Sequence, residues 1–442
     1  MTRGDVLKLI VLFSLPVLVG NVFQQMYQLA DIFIVGRLLG ENALAAVGAS
    51  APIYFMFLII AFSFTGGLTA VTAQRFGAGD YDGVRRSVTH SIRASLVLSL
   101  LLTLALVVFL HPVMHILNVP ETIYRDSYNF ILILGLAMFL LVGFNLLFGF
   151  IRALGDSRTP LYFLIFSSIL NILFNFILIR FCGFGVIGSA LGTVSAITVS
   201  FLCMGIYIWR NYPILRIKKE DWRYDKAFMR THLHIAVPMS IQFSVLSLSI
   251  MVIQAVCNSF GEQIIVGFTI ALRVEQLAVQ PLMALGVSIA TFTAQNFGAG
   301  RMARIRRGVR KTALLSFLIS LFLSGLVFIS GRNIIGSFLN APNSFAVGVG
   351  QAYLSISIMF YFFLGMIFIF KNTLQSIGKP LYPVISGFLE LGIRSFAAII
   401  LAKEMGYRGI YYASPLAWVG GSTVVFIGYY LNVYRKAKTE EK

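Results

Sequence analysis

The sequence predicts an all-α polytopic membrane protein: twelve transmembrane helices in two six-helix lobes related by a pseudo-two-fold axis along the membrane normal. Three observations predict it. Of the 442 residues, 58% are hydrophobic and only 12% charged, and the mean hydropathy of +0.85 exceeds what a soluble core of this length needs. Apolar stretches long enough to cross roughly 30 Å of hydrocarbon occur twelve times. Short segments also recur half a chain later: PVLVG at Pro16 against PMSIQ at Pro238, AQRFGAG at Ala73 against AQNFGAG at Ala294, and TPLY at Thr159 against KPLY at Lys379. Their offsets of 222, 221 and 220 residues mark a duplicated unit, and its two copies are expected to enclose a cleft.

In chain order the spans are expected near residues 9–31, 47–72, 94–117, 128–151, 160–181, 186–209, 234–258, 264–293, 312–335, 346–370, 381–402 and 409–433. The segments before the first span, after every second span and at the C-terminus hold 27 of the 35 Lys and Arg. Among them are seven between Arg210 and Arg230, six between Arg301 and Lys311, the pair Lys371 and Lys379, and Arg435, Lys436, Lys438 and Lys442. The opposite loops hold six: Arg37, Arg125, Arg180, Arg332, Lys403 and Arg408. Positive charge is retained inside, so both termini are expected in the cytoplasm, with the chain crossing the plasma (inner) membrane many times. Six spans per copy is an even number, so the copies insert in the same orientation. The expected divisions are a first lobe over 1–215, a polar linker over 216–230 and a second lobe over 231–442. Basic residues followed by an apolar run also open a signal peptide, but this run continues to about Asp31 without a small-residue cleavage site and reads as a retained first span.

The net charge of +18 does not point to nucleic acid, because it is spread over loops flanking the spans without interleaved exposed aromatics. The three cysteines, Cys182, Cys203 and Cys257, are far apart and have neither disulfide nor metal spacing; buried thiols are expected. H-E-x-x-H, G-x-S-x-G and Walker patterns are absent, so neither a membrane-embedded hydrolase nor an ATP-driven pump is indicated. His111 and His115, one turn apart, read as a solvated helix end. No cofactor is expected, and the chain is expected to function as a monomer among membrane lipids.

The polar residues inside the spans carry the functional signal. A charge at the bilayer centre costs about 2.5–3.5 kcal/mol on insertion scales, so such residues tend to face a cavity or each other. Asn21, Gln24, Gln28 and Asp31 lie at steps of three, four and three on one face of the first span. Ser168, Asn171 and Asn175 form one stripe on the fifth span, and Ser189, Thr193 and Ser200 another on the sixth. Polar stripes also glue membrane helices together, which suffices for Ser189 and Ser200. It does not suffice for Asp31, because an amide would serve without the penalty of ionisation. Apolar surroundings disfavour the charged form of a carboxyl, which allows Asp31 to exchange a proton or to bind a cation together with amide oxygens. Sodium suits the oxygens of Asp31, Asn171, Asn175 and Thr193, though oxygen ligands alone do not select one hard cation.

The second half has different ionisable groups. Arg273 and Glu275 fall in the eighth span on different helical faces, which leaves Glu275 free to carry a second proton or attract a cationic solute. Glu390 and Arg394, four apart in the favourable order, read as a structural ion pair. Gln28, Gln242, Gln254, Gln276 and Gln280 add hydrogen-bonding capacity. With 40 Phe, 18 Tyr and 14 Met, such residues suit an adaptable site for bulky amphipathic cations.

These patterns resemble the multidrug and toxic compound extrusion (MATE) family. The carrying residues are the first span from Pro16 through Asp31 into VGRLLG and ALAAVG, the paired AQ-x-FGAG motifs, the RALGDSRTP turn at Arg152 and ALRVEQL at Ala271. The resemblance covers essentially the whole chain. It implies two six-helix lobes around a V-shaped cavity and export of organic cations or amphipathic drugs in exchange for protons or sodium ions. It also implies a cation site at Asp31, Asn171, Asn175 and Thr193, with Gln24 nearby. Some relatives have a second Asp where this chain has Asn175, and some use a seventh-helix Glu, whereas Ser240 to Met251 contains no acid. Both departures favour the proton over sodium. A rival reading is a flippase for lipids or lipid-linked oligosaccharides, which needs cationic groups for a phosphate; only Arg273 and Arg394 are candidates.

Overall fold

The computed structural model describes residues 1–338 and 344–440; Lys442, counted above for topology, lies outside them. Helices run almost end to end: α1 (Val6–Leu39), α2 (Glu41–Gly77), α3 (Tyr81–Ile116), α4 (Glu121–Leu136), α5 (Met138–Ala153), α6 (Arg158–Arg180) and α7 (Gly185–Asn211) make the first repeat. The second comprises α8 (Lys226–Asn258), α9 (Glu262–Ala278), α10 (Gln280–Gly298), α11 (Met302–Phe338), α12 (Phe345–Ser357), α13 (Tyr361–Ser376), α14 (Leu381–Met405) and α15 (Ala413–Tyr429).

Among the described residues, ten helical stretches are long and apolar enough to span a bilayer, and α4 with α5, bent by 49°, makes eleven. One of the ten, Leu381–Ala437, covers 57 residues and is itself two antiparallel helices. A Cβ on Gly420 would meet Ile393, one on Gly421 would meet Glu390 and one on Gly428 would meet Tyr382, so α15 runs back along α14. The total is therefore the expected twelve, with spans that extend beyond the apolar runs read from sequence.

The repeat is visible in the turns. After α2 and after α10 the chain closes with the same hydrogen bonds: Ala78 N to Gln74 O at 3.0 Å and Asp80 N to Arg75 O at 3.0 Å, against Ala299 N to Gln295 O at 3.0 Å and Arg301 N to Asn296 O at 2.8 Å. The reversal requires a left-handed residue, which Gly79 (φ 74°) and Gly300 (φ 69°) supply without steric penalty. The lipid-facing ridges repeat as well: Val97, Leu100, Leu101, Val107 and Val108 of α3 are exposed, as are Leu318, Leu321, Phe322, Phe328 and Ile329 at the equivalent positions of α11.

The fourth span of each repeat breaks at the same place, Ala137 and the 3₁₀ turn Ile358–Phe360. A hydroxyl from the preceding long helix adds a hydrogen bond to a carbonyl there: Thr103 donates to Gly135 O at 2.9 Å and Ser324 to Ile358 O at 2.7 Å. The second span breaks only in the second repeat, between α9 and α10. Pro281 lacks the N–H that would bond Leu277 O, whereas the equivalent position in α2 is Ile60.

The chain folds into two compact units whose boundaries cut through α1 and α8: Val19–Ser240 forms one, and Met1–Leu18 with Ile241–Lys442 the other. Each boundary lies two residues past a proline inside its helix, Pro16 and Pro238. In the unit of Val19–Ser240, the linker and the start of α8 dock on α3 through Arg86–Asp225 at 2.9 Å and Ser87 Oγ to His232 Nε2 at 2.8 Å. In the other unit the N-terminal segment docks on α10 and α11. The Met1 ammonium donates to Gln295 Oε1 at 2.6 Å, Ser288 Oγ to Ile10 O at 2.8 Å and Arg304 to Gly4 O at 2.9 Å.

Two expectations are corrected. Cys182 and Cys203 are exposed, at the end of α6 and on the outer face of α7, and only Cys257 is buried; apolar surroundings in the sequence do not distinguish lipid from core. Lys371 is not a loop residue: α13 continues to Ser376, and Lys371 is buried within it.

Candidate functional site

In the unit of Val19–Ser240, α6 and α7 form an antiparallel hairpin held close by two glycines four residues apart. A Cβ on Gly188 would lie 3.2 Å from the Leu178 carbonyl carbon, and one on Gly192 would lie 2.8 Å from Asn175 N. The second half of α1 packs along α6, where Gly20 meets Leu161 and Leu164. These approaches bring the three polar stripes together. Asn171 Nδ2 donates to Thr193 Oγ1 at 2.9 Å, and Asn175 Nδ2 donates both to Asn171 Oδ1 at 3.3 Å and to Asp31 Oδ1. The result is a four-residue relay across three helices, with Asn175 fully buried and Asp31 half-buried. Asn175 Oδ1 is buried without a hydrogen-bond partner.

The remaining stripe residues stay outside the relay. Gln24 is half-buried and Gln28 exposed. Ser168 bonds its own helix at Leu164 O, 2.8 Å away, while Ser189 and Ser200 are fully buried. Chemically, the relay offers one carboxylate, one buried unpaired carbonyl oxygen and a hydroxyl that can donate or accept.

The second-repeat candidates divide. Glu275 is buried in α9 and accepts a hydrogen bond from Tyr353 Oη at 2.7 Å through Oε2, while its Oε1 has no partner. Arg273 and Gln276 are exposed on other faces of the same helix, and Gln280 is buried at the start of α10. Glu390 and Arg394 are buried 3.9 Å apart on α14. Ser386 Oγ donates to Glu390 at 3.1 Å, and Arg394 donates to Ser249 Oγ at 2.6 Å. Gln242 joins Gln375 at 2.7 Å, and Gln254 joins Asn258 at 2.8 Å. Sequence reasoning missed Tyr353, because a tyrosine in an apolar span reads as packing. It also missed the burial of Lys371, whose Nζ sits 5.2 Å over the Phe243 ring. The signal for Lys371 was present: helical periodicity continues past the last apolar run, through Leu374.

Comparison with known proteins decides the family. The MatE family model matches residues 16–177 and again 238–400, one match per repeat. The chain belongs to the MatE family. Its relatives include the probable multidrug resistance protein YoeA of Bacillus subtilis, 27% identical over 435 residues, covering 96% of this chain and 93% of that one. They also include the multidrug export protein MepA of Staphylococcus aureus, 22% identical and covering 94% and 91%. Among solved structures, a MATE protein in a bent conformation superposes with a TM-score of 0.93 at 22% identity, covering all of this chain and 98% of that one. The MatE matches contain Asp31, Asn171 and Asn175 in the first repeat and Glu275, Tyr353, Lys371, Glu390 and Arg394 in the second; Thr193 lies beyond the first match.

Proposed function

We propose that this MatE protein is a secondary multidrug exporter. It moves organic cations or amphipathic drugs out of the cell by alternating access of its two halves, in antiport with protons. Asp31 is the exchanging group in this reading. The observation that carries it is the relay itself: the one carboxylate of the three polar stripes is joined through two amides to Thr193, in a chain that otherwise presents apolar helices to lipid. The family and the names of its relatives support the efflux reading. The single acid in the relay favours the proton over sodium, because one carboxyl suffices to carry a proton, whereas a hard cation is held by several oxygens at once and Asn175 turns its N–H donor, not its oxygen, to Asp31. Both termini lie in the cytoplasm on this reading, and Gln28, Arg273, Gln276 and Gln280 remain candidates for substrate contact. The flippase reading finds less support, since Arg394 is engaged by Glu390 and Ser249.

The test is transport of ethidium into inverted vesicles with pH and sodium gradients imposed separately. Uptake should follow the pH gradient, and dependence on neither gradient overturns the antiport reading. Asp31→Asn keeps the shape and removes the exchange, so it should insert at wild-type levels and lose gradient-driven uptake. Undiminished uptake by that variant removes Asp31 from the mechanism.

A further inference from the structure

We infer that Gly192 is a positioning residue for Asp31, holding the Asn175 amide with its donor side on the carboxylate. The inference rests on the reading of Asp31 as the exchanging group. Gly188 and Gly192 share one face of α7, but they meet different parts of α6. A Cβ on Gly188 would sit 3.2 Å from Leu178 C and O, a close backbone contact that asks α6 to give by a few tenths of an ångström but lies away from the relay. A Cβ on Gly192 would lie 2.0 Å from Asn175 Oδ1, 2.8 Å from its N and 3.0 Å from its Cα, so it would occupy the space the amide oxygen now fills.

The amide has a fixed sense. Asn171 is oriented by its bond to Thr193, and its Oδ1 takes Asn175 Nδ2 at 3.3 Å on the side where Asp31 also accepts. Oδ1 is therefore turned to Gly192, buried and without a partner. A methyl at 192 takes the space of the amide oxygen and turns the amide away, because the oxygen is 2.0 Å from where the methyl would sit; its contacts with Asn175 N and Cα, which no side-chain rotation relieves, also move α6 slightly off α7. Turning the amide takes Nδ2 off Asp31. A substitution that touches no atom of Asp31 thus removes a donor that favours its ionised form.

The experiment measures ethidium uptake against pH in vesicles carrying the wild type, Asp31→Asn, Gly188→Ala, Gly192→Ala or Asn175→Ala. A hydrogen bond to a charged group corresponds to about one to two pH units. In Gly192→Ala the pH of half-maximal uptake should move upward by about that much, and in Gly188→Ala it should stay within a few tenths. Asn175→Ala deletes the donor outright and should move the midpoint upward as well. It carries the test if Gly192→Ala does not insert, and a wild-type midpoint in Asn175→Ala then overturns the inference. An unchanged midpoint in Gly192→Ala beside an inactive Asp31→Asn overturns this inference and leaves the Asp31 reading standing. An equal shift in Gly188→Ala also overturns it, by showing that helix separation alone is responsible. Full pH-dependent uptake by Asp31→Asn overturns both.

Discussion

Asp156 lies in the RALGDSRTP turn and accepts from Arg158 N at 2.8 Å, Thr159 Oγ1 at 2.7 Å and Tyr212 Oη at 2.6 Å. Partial burial opposes its charge, but these hydroxyl and backbone donors outweigh burial and hold the carboxyl below its usual range. A carboxyl held low stabilises the fold at neutral pH and gives that up as the pH falls through its native value. Asp156→Ala should therefore melt several degrees below wild type at pH 7 in detergent, and the gap should narrow as the pH is lowered below about 4. On the antiport reading proposed above, the ionisable groups of the two repeats also set the energetics. If one proton on Asp31 exchanges for one monovalent cation, no net charge moves, and the membrane potential, worth about 2.3 kcal/mol per charge per 100 mV, contributes nothing. Accumulation should then be about tenfold per pH unit and should not respond to a valinomycin-clamped potassium potential. A steep response would point to a second proton. Glu275, bonded to Tyr353 through one oxygen only, is its candidate carrier, and Glu275→Gln should then abolish the response.

At the level of the helix, the hydroxyls at the two breaks are directly testable. Thr103→Val and Ser324→Ala each remove one of the hydrogen bonds to a carbonyl that keeps a backbone donor, which costs about 0.5–1.5 kcal/mol. Each variant should lower the melting temperature of the purified protein by a few degrees, and the double variant by nearly the sum, since the two sites lie in separate units. Unchanged melting would mean that the backbone donor to each carbonyl suffices. The sequence foretold the helices and the stripes on them, because a period of 3.6 residues is written in the spacing of Gln24, Asp31, Asn171 and Asn175. It did not foretell the breaks at Ala137 and Ile358, because the apolar run continues through both without proline or charge. That the stripes meet at Asp31 was also expected from the sequence, but how closely α6 and α7 approach to bring this about was hidden, since a glycine carries that information only once its neighbour is known. Lys371 and the two exposed cysteines failed for a related reason: local apolarity says that a residue is out of water, not whether lipid or protein surrounds it.

At the scale of the whole molecule, the duplication was legible from three short segments, but the exchange of helix halves was not. The unit formed largely by the second repeat is completed by residues 1–18, and the unit of Val19–Ser240 includes the start of α8. Cutting between Arg223 and Tyr224, both exposed in the linker, gives fragments that each lack a part of their own unit. The two fragments co-expressed should copurify through a tag on one of them and restore dye efflux, whereas either alone should be degraded or aggregated. A well-folded single fragment would contradict the exchanged arrangement. The same arrangement governs how the protein is made. Met1 to Ile10 leave the ribosome long before the groups that hold them: Ser288 is encoded 278 residues after Ile10, and Gln295 294 residues after Met1. At translation rates of about 5–20 residues per second, the start of α1 waits roughly 15 s to a minute for its partners. During that interval six spans can enter the bilayer with an N-terminal helix whose first turns have nowhere to dock, a window in which membrane chaperones, proteases or a neighbouring nascent chain compete for that segment.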